Sequence, residues 1–265
     1  EEIPRFVHMG RVEKIDYRMD EEQVPERVHI YKVESPVKDK LESLGMLLRS
    51  LGDQSTIVFL NYRDSVERTN KYLVEQGFST SFFHGGLEQK EREASLYRFS
   101  NGSANILVST DLASRGLDIP DIDNIIHYHM PESEDGYIHR VGRTARWEAQ
   151  GRAFFLLGPE EHIPDYVDAE VEDYEIPAVE ELPMPAKPKM ATLYIGKGKK
   201  DKISKGDILG FLCKKGGLNS SEIGKIDVND RYAYAAIART KLRSVLNQVK
   251  GEKIKGVKTI VEEVR

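Results

Sequence analysis

Between residues 27 and 159 the chain alternates between two kinds of hydrophobic pattern. Short runs of consecutive apolar residues are typical of strands that are buried on both faces of a parallel sheet. Between these runs, apolar residues recur every three or four positions, and this spacing predicts amphipathic helices. The predicted strands are residues 29–33, 56–60, 78–83, 105–109, 124–128 and 151–157, and the predicted helices are residues 38–51, 66–74, 87–99 and 137–141. Strands alternating with helices predict an α/β domain with a mostly parallel sheet and helices on both faces.

A different pattern begins near residue 190. The predicted order is a strand at 192–195, a helix at 203–213, strands at 222–228 and 231–237, a helix at 241–249 and a strand at 257–261. This βαββαβ order predicts a ferredoxin-like α+β domain, the arrangement that RNA recognition motifs use. Because the architecture carries many functions, the fold by itself assigns none.

Two segments carry neither pattern. Residues 1–26 mix charges without periodicity and are interpreted as the end of a preceding domain and a linker. Residues 160–189 hold ten acidic residues and, with Pro159 at the edge, six prolines. Since this composition offers little apolar surface to bury, we expect it to form an extended linker. The predicted domains are therefore 27–159 and 190–265.

Charge is distributed unevenly along the chain. The net charge of all 265 residues is −5, yet residues 190–265 hold 17 Lys and Arg against 8 Asp and Glu. A basic domain joined to an acidic half is typical of a polyanion-binding module that is attached to a domain with a different role. The single cysteine excludes an internal disulfide and a Cys-rich zinc site. Without an apolar run of about 20 residues or a recognisable signal peptide, we expect a cytoplasmic protein with no membrane partner.

Residues 137–146 contain three arginines within seven positions, at 140, 143 and 146. Arg143 and Arg146 are three positions apart, so on a helical turn they share a face. Guanidinium groups bind phosphate oxygens in a bidentate manner, and they stabilise charge during phosphoryl transfer. A solvated basic helix end is the alternative interpretation of this segment alone.

Three other segments decide between these interpretations. They are residues 57–65, residues 84–92 with Phe99 further on, and residues 106–120. Together with the arginine segment, and in this order and spacing, they resemble motifs IV, IVa (here Gln89-x-x-Arg92), V and VI of the DEAD-box RNA helicases. The resemblance covers residues 28–157 and implies that the α/β domain is the second RecA-like domain of such an enzyme.

The resemblance implies a role for each matching residue. Arg143 and Arg146 match the arginine fingers at the ATP γ-phosphate, and Asp118 matches the acidic residue near the ribose and the catalytic water. The residues that match positions linking the ATP state to the facing domain are Gly116, His139 and Arg140. The residues that match positions holding RNA phosphates are Gly85, Gly86, Arg92 and Thr110. From the residues alone, Asp118 serves equally well as the cap of the following turn.

Some family features are missing from the sequence. It contains neither Gly-x-x-x-x-Gly-Lys-Ser/Thr nor Asp-Glu-Ala-Asp, the segments that hold Mg²⁺ and the β- and γ-phosphates. We therefore expect ATP and Mg²⁺ to act in an intact enzyme, held mainly by a first RecA-like domain outside this chain. This chain alone is expected to bind no cofactor or metal and to be inactive. Ala145 stands where the family usually has glycine, and His127 and His129 are expected to be structural.

In the C-terminal domain, two segments resemble the RNP2 and RNP1 strands of RNA recognition motifs. They place Tyr194, Tyr232 and Tyr234 on one face of the predicted sheet, where exposed rings would stack on bases for about 1–3 kcal/mol each. The alternative is that one tyrosine packs under the sheet loop without touching RNA, and that phosphates are bound by a basic loop and by the pair Lys214-Lys215. The candidate residues of that loop are Lys197, Lys199 and Lys200.

The combination of the two domains resembles the DbpA/YxiN branch of the DEAD-box proteins. This likeness implies a tail that binds structured large-subunit ribosomal RNA and brings the helicase domain to nearby duplexes during ribosome assembly. The expected partners are RNA and the first RecA-like domain, and the expected state is a monomer. A non-catalytic RNA-binding adaptor built on a helicase-derived scaffold is the alternative.

Overall fold

A computed structural model describes residues 24, 27–115, 117, 119–145 and 150–265. The strands within these residues are β1 (Val28–Glu34), β2 (Thr56–Phe59), β3 (Thr80–Phe83), β4 (Ile106–Ser109), β5 (Asn124–His127), β6 (Gly151–Leu157), β7 (Val171–Asp173), β8 (Met190–Ile195), β9 (Ile223–Val228), β10 (Ala233–Ala238), β11 (Lys253–Ile254), β12 (Val257–Lys258) and β13 (Val261–Glu263). The α-helices are α1 (Leu41–Leu51), α2 (Arg63–Glu75), α3 (Gln89–Ser100), α4 (Glu134–Val141), α5 (Lys205–Lys214) and α6 (Leu242–Gln248).

The first domain is built on a sheet of parallel strands in the order β3-β4-β2-β5-β6-β1-β7. Neighbouring residues of β2 point to opposite faces, because side chains alternate along a strand. Ile57 and Phe59 join a core that includes residues of α3 and α4, whereas Val58 joins a second core with residues of α1 and α2. The prediction of a parallel α/β sheet with helices on both faces is confirmed.

Residues 160–189 differ from the expectation of an extended linker. Within them, β7 pairs in parallel with β1 at the edge of the sheet. Tyr174 and Ile176 pack against the core of α1 and α2, and Arg49 of α1 donates to the backbone carbonyls of Leu182 and Pro183. The few apolar residues among the acidic ones are thus enough to hold the segment against the domain. The segment predicted as an extended linker is therefore packed along the domain.

The C-terminal domain forms an antiparallel sheet in the order β13-β8-β10-β9. Helices α5 and α6 pack on one face of it, around a core that contains Leu193, Phe211 and Val245. The βαββαβ prediction is confirmed, with the short hairpin β11–β12 inserted before the last strand. No helix in the described part of the chain is long and apolar enough to cross a membrane.

Candidate functional site

The candidate residues of the first domain lie at one edge of the parallel sheet. Parallel strands share an orientation, so the segments that follow β3, β4, β2 and β5 lie side by side at their carboxyl ends. These segments begin with His84, Thr110, Leu60 and Tyr128 respectively. The edge brings together the glycine loop (residues 84–86) and the residues that contact α4.

Arg140 of α4 connects three of these segments. Its guanidinium group is fully buried and lies against Asp111 in a bidentate arrangement, with Nε 2.6 Å from Oδ1 and Nη2 3.2 Å from Oδ2. Nη1 donates to the carbonyl of His129 at 2.8 Å, and Nη2 donates to Asn61 Oδ1 at 2.7 Å. The residue that the sequence assigned to ATP coupling is therefore also the structural centre of this edge.

The two histidines of the β5 segment are held as neutral rings. His129 Nδ1 accepts a hydrogen bond from the backbone N–H of Asn61 at 2.9 Å, which requires that nitrogen to be unprotonated. Burial, with the nearby Lys40 ammonium, lowers the pKa of His129 to about 4. His127 is fully buried, 3.3 Å from Arg140 Nη1, and burial holds its pKa well below the usual value. Both rings have the structural role that was expected.

We predict that the domain loses stability as pH falls from about 6.5 to 4. In this window the unfolded chain binds a proton at residue 129 and the folded chain does not, so His129 alone accounts for about 2–3 kcal/mol of the free energy of unfolding. Urea unfolding of the wild type and of His129→Gln at pH 7 and pH 4.5 measures the difference. The variant should lose less stability on acidification, because the contribution of the residue 129 imidazole is absent. An equal loss in both proteins would contradict the assignment.

The side chains of His84 and Arg63 lie against the two glycines of the glycine loop. His84 is buried, accepts from the N–H of Gly86 through Nδ1 at 3.0 Å, and contacts Glu67 through Nε2 at 2.8 Å. A β-carbon placed on Gly85 would lie 2.8 Å from Nη2 of Arg63, so a larger residue there would displace the end of that side chain. His84 therefore supports the loop through hydrogen bonds on both ring nitrogens.

Arg92 of α3 closes the base of this loop. Its Nη2 donates to the carbonyl of Gly85 at 2.7 Å and its Nε to the carbonyl of Leu87 at 2.9 Å. Thr110 lies at the end of the neighbouring strand, where its backbone N–H donates to the carbonyl of Phe83. The structure thus places Gly85, Gly86 and Arg92 next to one another, with Thr110 at the end of the neighbouring strand.

Arg143 lies just beyond α4 and is only 5% exposed. Its Nε donates to the carbonyl of Ser114 and its Nη1 to that of Leu117, each at 2.9 Å. These bonds fix the guanidinium against the segment that follows β4. Arg146, Asp118 and Gly116 lie outside the described residues.

Two neighbours of Arg143 bear on the sequence predictions. Ala145 has a left-handed backbone with φ of 57°, a conformation that costs alanine about 1–2 kcal/mol and glycine nothing. This explains why glycine is usual at that position. His139 is half-buried, with Nδ1 2.7 Å from the carbonyl of Asp135 and 3.3 Å from Nη2 of Arg115.

In the C-terminal domain the predicted residues fall into two groups. Lys199 and Lys200 are exposed and Lys197 is half-buried in the lysine loop (residues 197–202). The tyrosine face (Tyr194, Tyr232 and Tyr234) lies together as predicted, with the Tyr194 and Tyr232 rings stacked 5.9 Å apart.

The expectation that all three rings of the tyrosine face are exposed is wrong. Tyr234 is 3% exposed because the ring of Tyr97 in α3 stacks on it, with 5.2 Å between centroids. Tyr194 and Tyr232 are half-buried.

Several residues that the structure places at these surfaces had no predicted role. Arg63 follows β2 directly and its guanidinium lies beside both glycines of the glycine loop. Its position directly after a buried strand could have predicted that it lies at the carboxyl edge of the sheet. The residues of α3 that contact the tyrosine face could not be predicted in this way, because in the sequence they belong to an ordinary polar helix face. In the described residues, no group of three or more His, Cys, Asp or Glu side chains is arranged to hold a metal ion.

Comparisons with known proteins agree on both domains. The model of the helicase conserved C-terminal domain matches residues 39–148, and that of the DbpA RNA binding domain matches residues 192–263. The ATP-dependent RNA helicase DbpA of Escherichia coli (strain K12) is 36% identical over 228 residues, 84% of this chain and 50% of that protein. The Bacillus subtilis (strain 168) protein of the same name is 30% identical over 245 residues, 83% of this chain and 51% of that protein.

A solved structure matches the first domain. It is the E. coli DEAD-box protein SrmB bound to the regulator of ribonuclease activity A, with 29% identity and a TM-score of 0.53, covering 62% of this chain and 99% of that chain. The chain spans about half the length of the curated relatives it matches. It belongs to the DEAD-box ATP-dependent RNA helicases, in the DbpA branch, and carries the helicase C-terminal domain followed by the DbpA RNA-binding domain.

Proposed function

We propose that the full-length protein is an RNA-stimulated ATPase that separates RNA duplexes, and that this chain supplies its second RecA-like domain and its RNA-binding tail. The observation that carries the proposal is the carboxyl edge of the parallel sheet. There the glycine loop and Thr110 lie at one end, and α4 with Arg140 and Arg143 spans its centre. The surface that we assign to phosphate binding and the fixed arginine thus lie at the same edge of one sheet.

For ATP hydrolysis, we assign charge stabilisation to Arg143, together with Arg146. The two carbonyl contacts of Arg143 hold its guanidinium in one orientation, as preorganised stabilisation of a developing phosphate charge requires. The arginine donors suit a phosphate group and not Mg²⁺, which prefers carboxylate and water oxygens. ATP and Mg²⁺ are therefore assigned mainly to the preceding domain, with Asp118 near the ribose. By the same assignment, residues 1–265 alone do not hydrolyse ATP.

For RNA, the helicase domain is proposed to hold one strand by its phosphates. The backbone N–H of Gly85, the Thr110 hydroxyl and the guanidinium groups of Arg63 and Arg92 are the donors assigned to this task, while Gly86 allows the close approach of a phosphate. Such contacts position the backbone and carry no sequence information, so this domain should act on duplexes of any sequence. His139, Arg140 and Gly116 are proposed to transmit the ATP state across the domain interface.

The tail is proposed to supply specificity by binding structured large-subunit ribosomal RNA, in the cytoplasm and as a monomer, during ribosome assembly. The lysine loop is well suited to phosphate contact because it is exposed yet ordered. The backbone N–H of Lys199 donates to the carbonyl of Asn229, and that of Lys200 donates to the carbonyl of Asp230, each at 2.9 Å. Ordered lysines lose less freedom on binding than lysines of a mobile loop.

We predict that the 265-residue chain prefers one fragment of large-subunit ribosomal RNA by at least about tenfold over fragments of equal length. Fluorescence titrations at several salt concentrations separate this preference from general polyanion binding. Lys199→Gln with Lys200→Gln should weaken binding and lower the slope of log K against log salt by about 1–2. Lys71→Gln, an exposed lysine of α2, is the matched control. Equal affinity for all fragments would overturn the ribosomal assignment.

A further inference from the structure

Tyr62 lies at the carboxyl edge of the parallel sheet, between the end of β2 and the start of α2. It is 61% exposed, although a tyrosine ring is large and mostly apolar. Its backbone is extended, with φ of −131° and ψ of 143°, and it directly precedes the first turn of the helix. An aromatic ring is thus presented to solvent at the edge where the candidate residues of the domain lie.

The local structure gives no reason for a tyrosine at this position. The residue before the first turn of a helix is preferentially Ser, Thr, Asp or Asn, because a short polar side chain accepts a hydrogen bond from a backbone N–H of that turn. Tyr62 makes no such hydrogen bond. Among the described residues, it also belongs to neither of the two cores of the domain. A residue that departs from a local preference without a gain in packing is expected at a functional site.

The ring of Tyr62 is held in a defined orientation by His129. The two ring centroids are 5.7 Å apart, with an interplanar angle of 63°, which is an edge-to-face arrangement. The imidazole is itself fixed, because its Nδ1 accepts a hydrogen bond from the backbone N–H of Asn61. A ring that is already oriented by a rigid neighbour loses less freedom when a ligand binds than a mobile one does.

The next residue, Arg63, reaches the other end of the same edge. Its guanidinium group lies beside Gly85 and Gly86, after β3, whereas the Tyr62 ring lies against His129, after β5. In the order β3-β4-β2-β5 these strands are three spacings apart, about 14 Å, so one RNA strand can reach both ends. Proteins that bind single strands combine cations along the phosphate backbone with aromatic rings on which bases stack. The edge offers both parts.

We propose that Tyr62 is a stacking platform for one base of the RNA strand whose phosphates contact the glycine loop and Arg63. The ligand is thus a nucleobase, and stacking tolerates any base, so the helicase domain still acts without sequence preference. The inference rests on the proposed function, since it adds a base contact to that phosphate-binding surface. It assigns the contact to the ring of Tyr62 and no part of it to the hydroxyl group.

Tyr62→Ala and Tyr62→Phe in the full-length helicase test the inference. ATP hydrolysis titrated with an oligoadenylate strand gives the half-saturating RNA concentration and the turnover at saturation. Tyr62→Ala should raise the half-saturating concentration about tenfold, the loss of one base–aromatic stack, and leave turnover at saturation within about twofold of the wild type. Tyr62→Phe keeps the ring and should match the wild type. Val74→Ala, which alters an exposed apolar residue near the other end of α2, is the matched control.

An abasic strand of the same length separates base stacking from contact with the RNA backbone. By fluorescence anisotropy, the wild type and Tyr62→Ala should bind this strand with equal affinity, because it offers no base to stack. A tenfold difference on the abasic strand, or no difference on oligoadenylate, would overturn the inference. An equal loss in Tyr62→Phe would also overturn it, because the hydroxyl group would then make the contact.

Two further outcomes have separate meanings. Lower turnover of Tyr62→Ala at saturating RNA, with an unchanged half-saturating concentration, would overturn the inference and place the ring against the first RecA-like domain. Failure of every RNA to stimulate ATP hydrolysis by the wild type would instead contradict the proposed function.

Discussion

Replacing Arg143 by alanine in the full-length helicase is expected to lower RNA-stimulated ATP turnover by about 10³-fold or more, the effect of an arginine finger in phosphoryl transfer. The guanidinium group is fixed by the carbonyls of Ser114 and Leu117, so no other side chain can take its position without rebuilding that contact. Arg143→Lys should recover little, because an ammonium cannot make the same forked contacts. Steady-state ATP hydrolysis with saturating RNA measures both variants.

Two controls separate lost chemistry from lost folding. Arg152→Ala removes another arginine with side-chain partners, bonded to Asn124 and Gln54 at the amino ends of the strands, and should leave turnover within about twofold of the wild type. RNA affinity of Arg143→Ala should match the wild type, since the tail is untouched. Turnover near that of the wild type in Arg143→Ala would remove the finger assignment. Absence of ATP hydrolysis in the wild type would instead favour a non-catalytic adaptor.

The elements of both domains could be predicted from the sequence because their signals are local. The predicted helix at 87–99 is observed as Gln89–Ser100, and the predicted strand at 105–109 as Ile106–Ser109. The gathering of the glycine loop, Thr110 and α4 at one sheet edge also followed, because parallel strands leave no other place for the segments after them. Hydrophobic periodicity, with the rule that sites form at the carboxyl ends of parallel strands, was sufficient to predict the elements and this edge.

Contacts between distant residues could not be predicted in the same way. Nothing in the tyrosines of the C-terminal domain indicates that Tyr97, 137 positions before Tyr234, covers them. The packing of residues 160–189 depends on a few apolar side chains whose partners lie on α1 and β1. Arg140 was assigned through its resemblance, and its structural role appeared only when Asn61, 79 positions away, was found beside it.

Removing Asp111 is expected to destabilise the helicase domain more than removing the arginine that it pairs with. In Asp111→Ala the guanidinium of Arg140 stays fully buried without its counter-charge, which should lower the free energy of unfolding by about 3–5 kcal/mol. In Arg140→Met the carboxylate, 45% exposed, is rehydrated by water, so the loss should be smaller. That loss, about 2 kcal/mol, comes mainly from the unpaired carbonyl of His129 and side chain of Asn61.

The double variant, Asp111→Ala with Arg140→Met, tests whether the two stability losses are coupled. Once Arg140 is methionine, no buried charge remains for Asp111 to neutralise, so the double variant should be more stable than Asp111→Ala alone. Urea unfolding followed by circular dichroism measures the stability of the wild type and the three variants. Additive losses, or a larger loss for Arg140→Met than for Asp111→Ala, would mean that the pair is not what holds the three strand ends together. The coupled result would establish that the arginine segment is built into the sheet edge on which Arg143 depends.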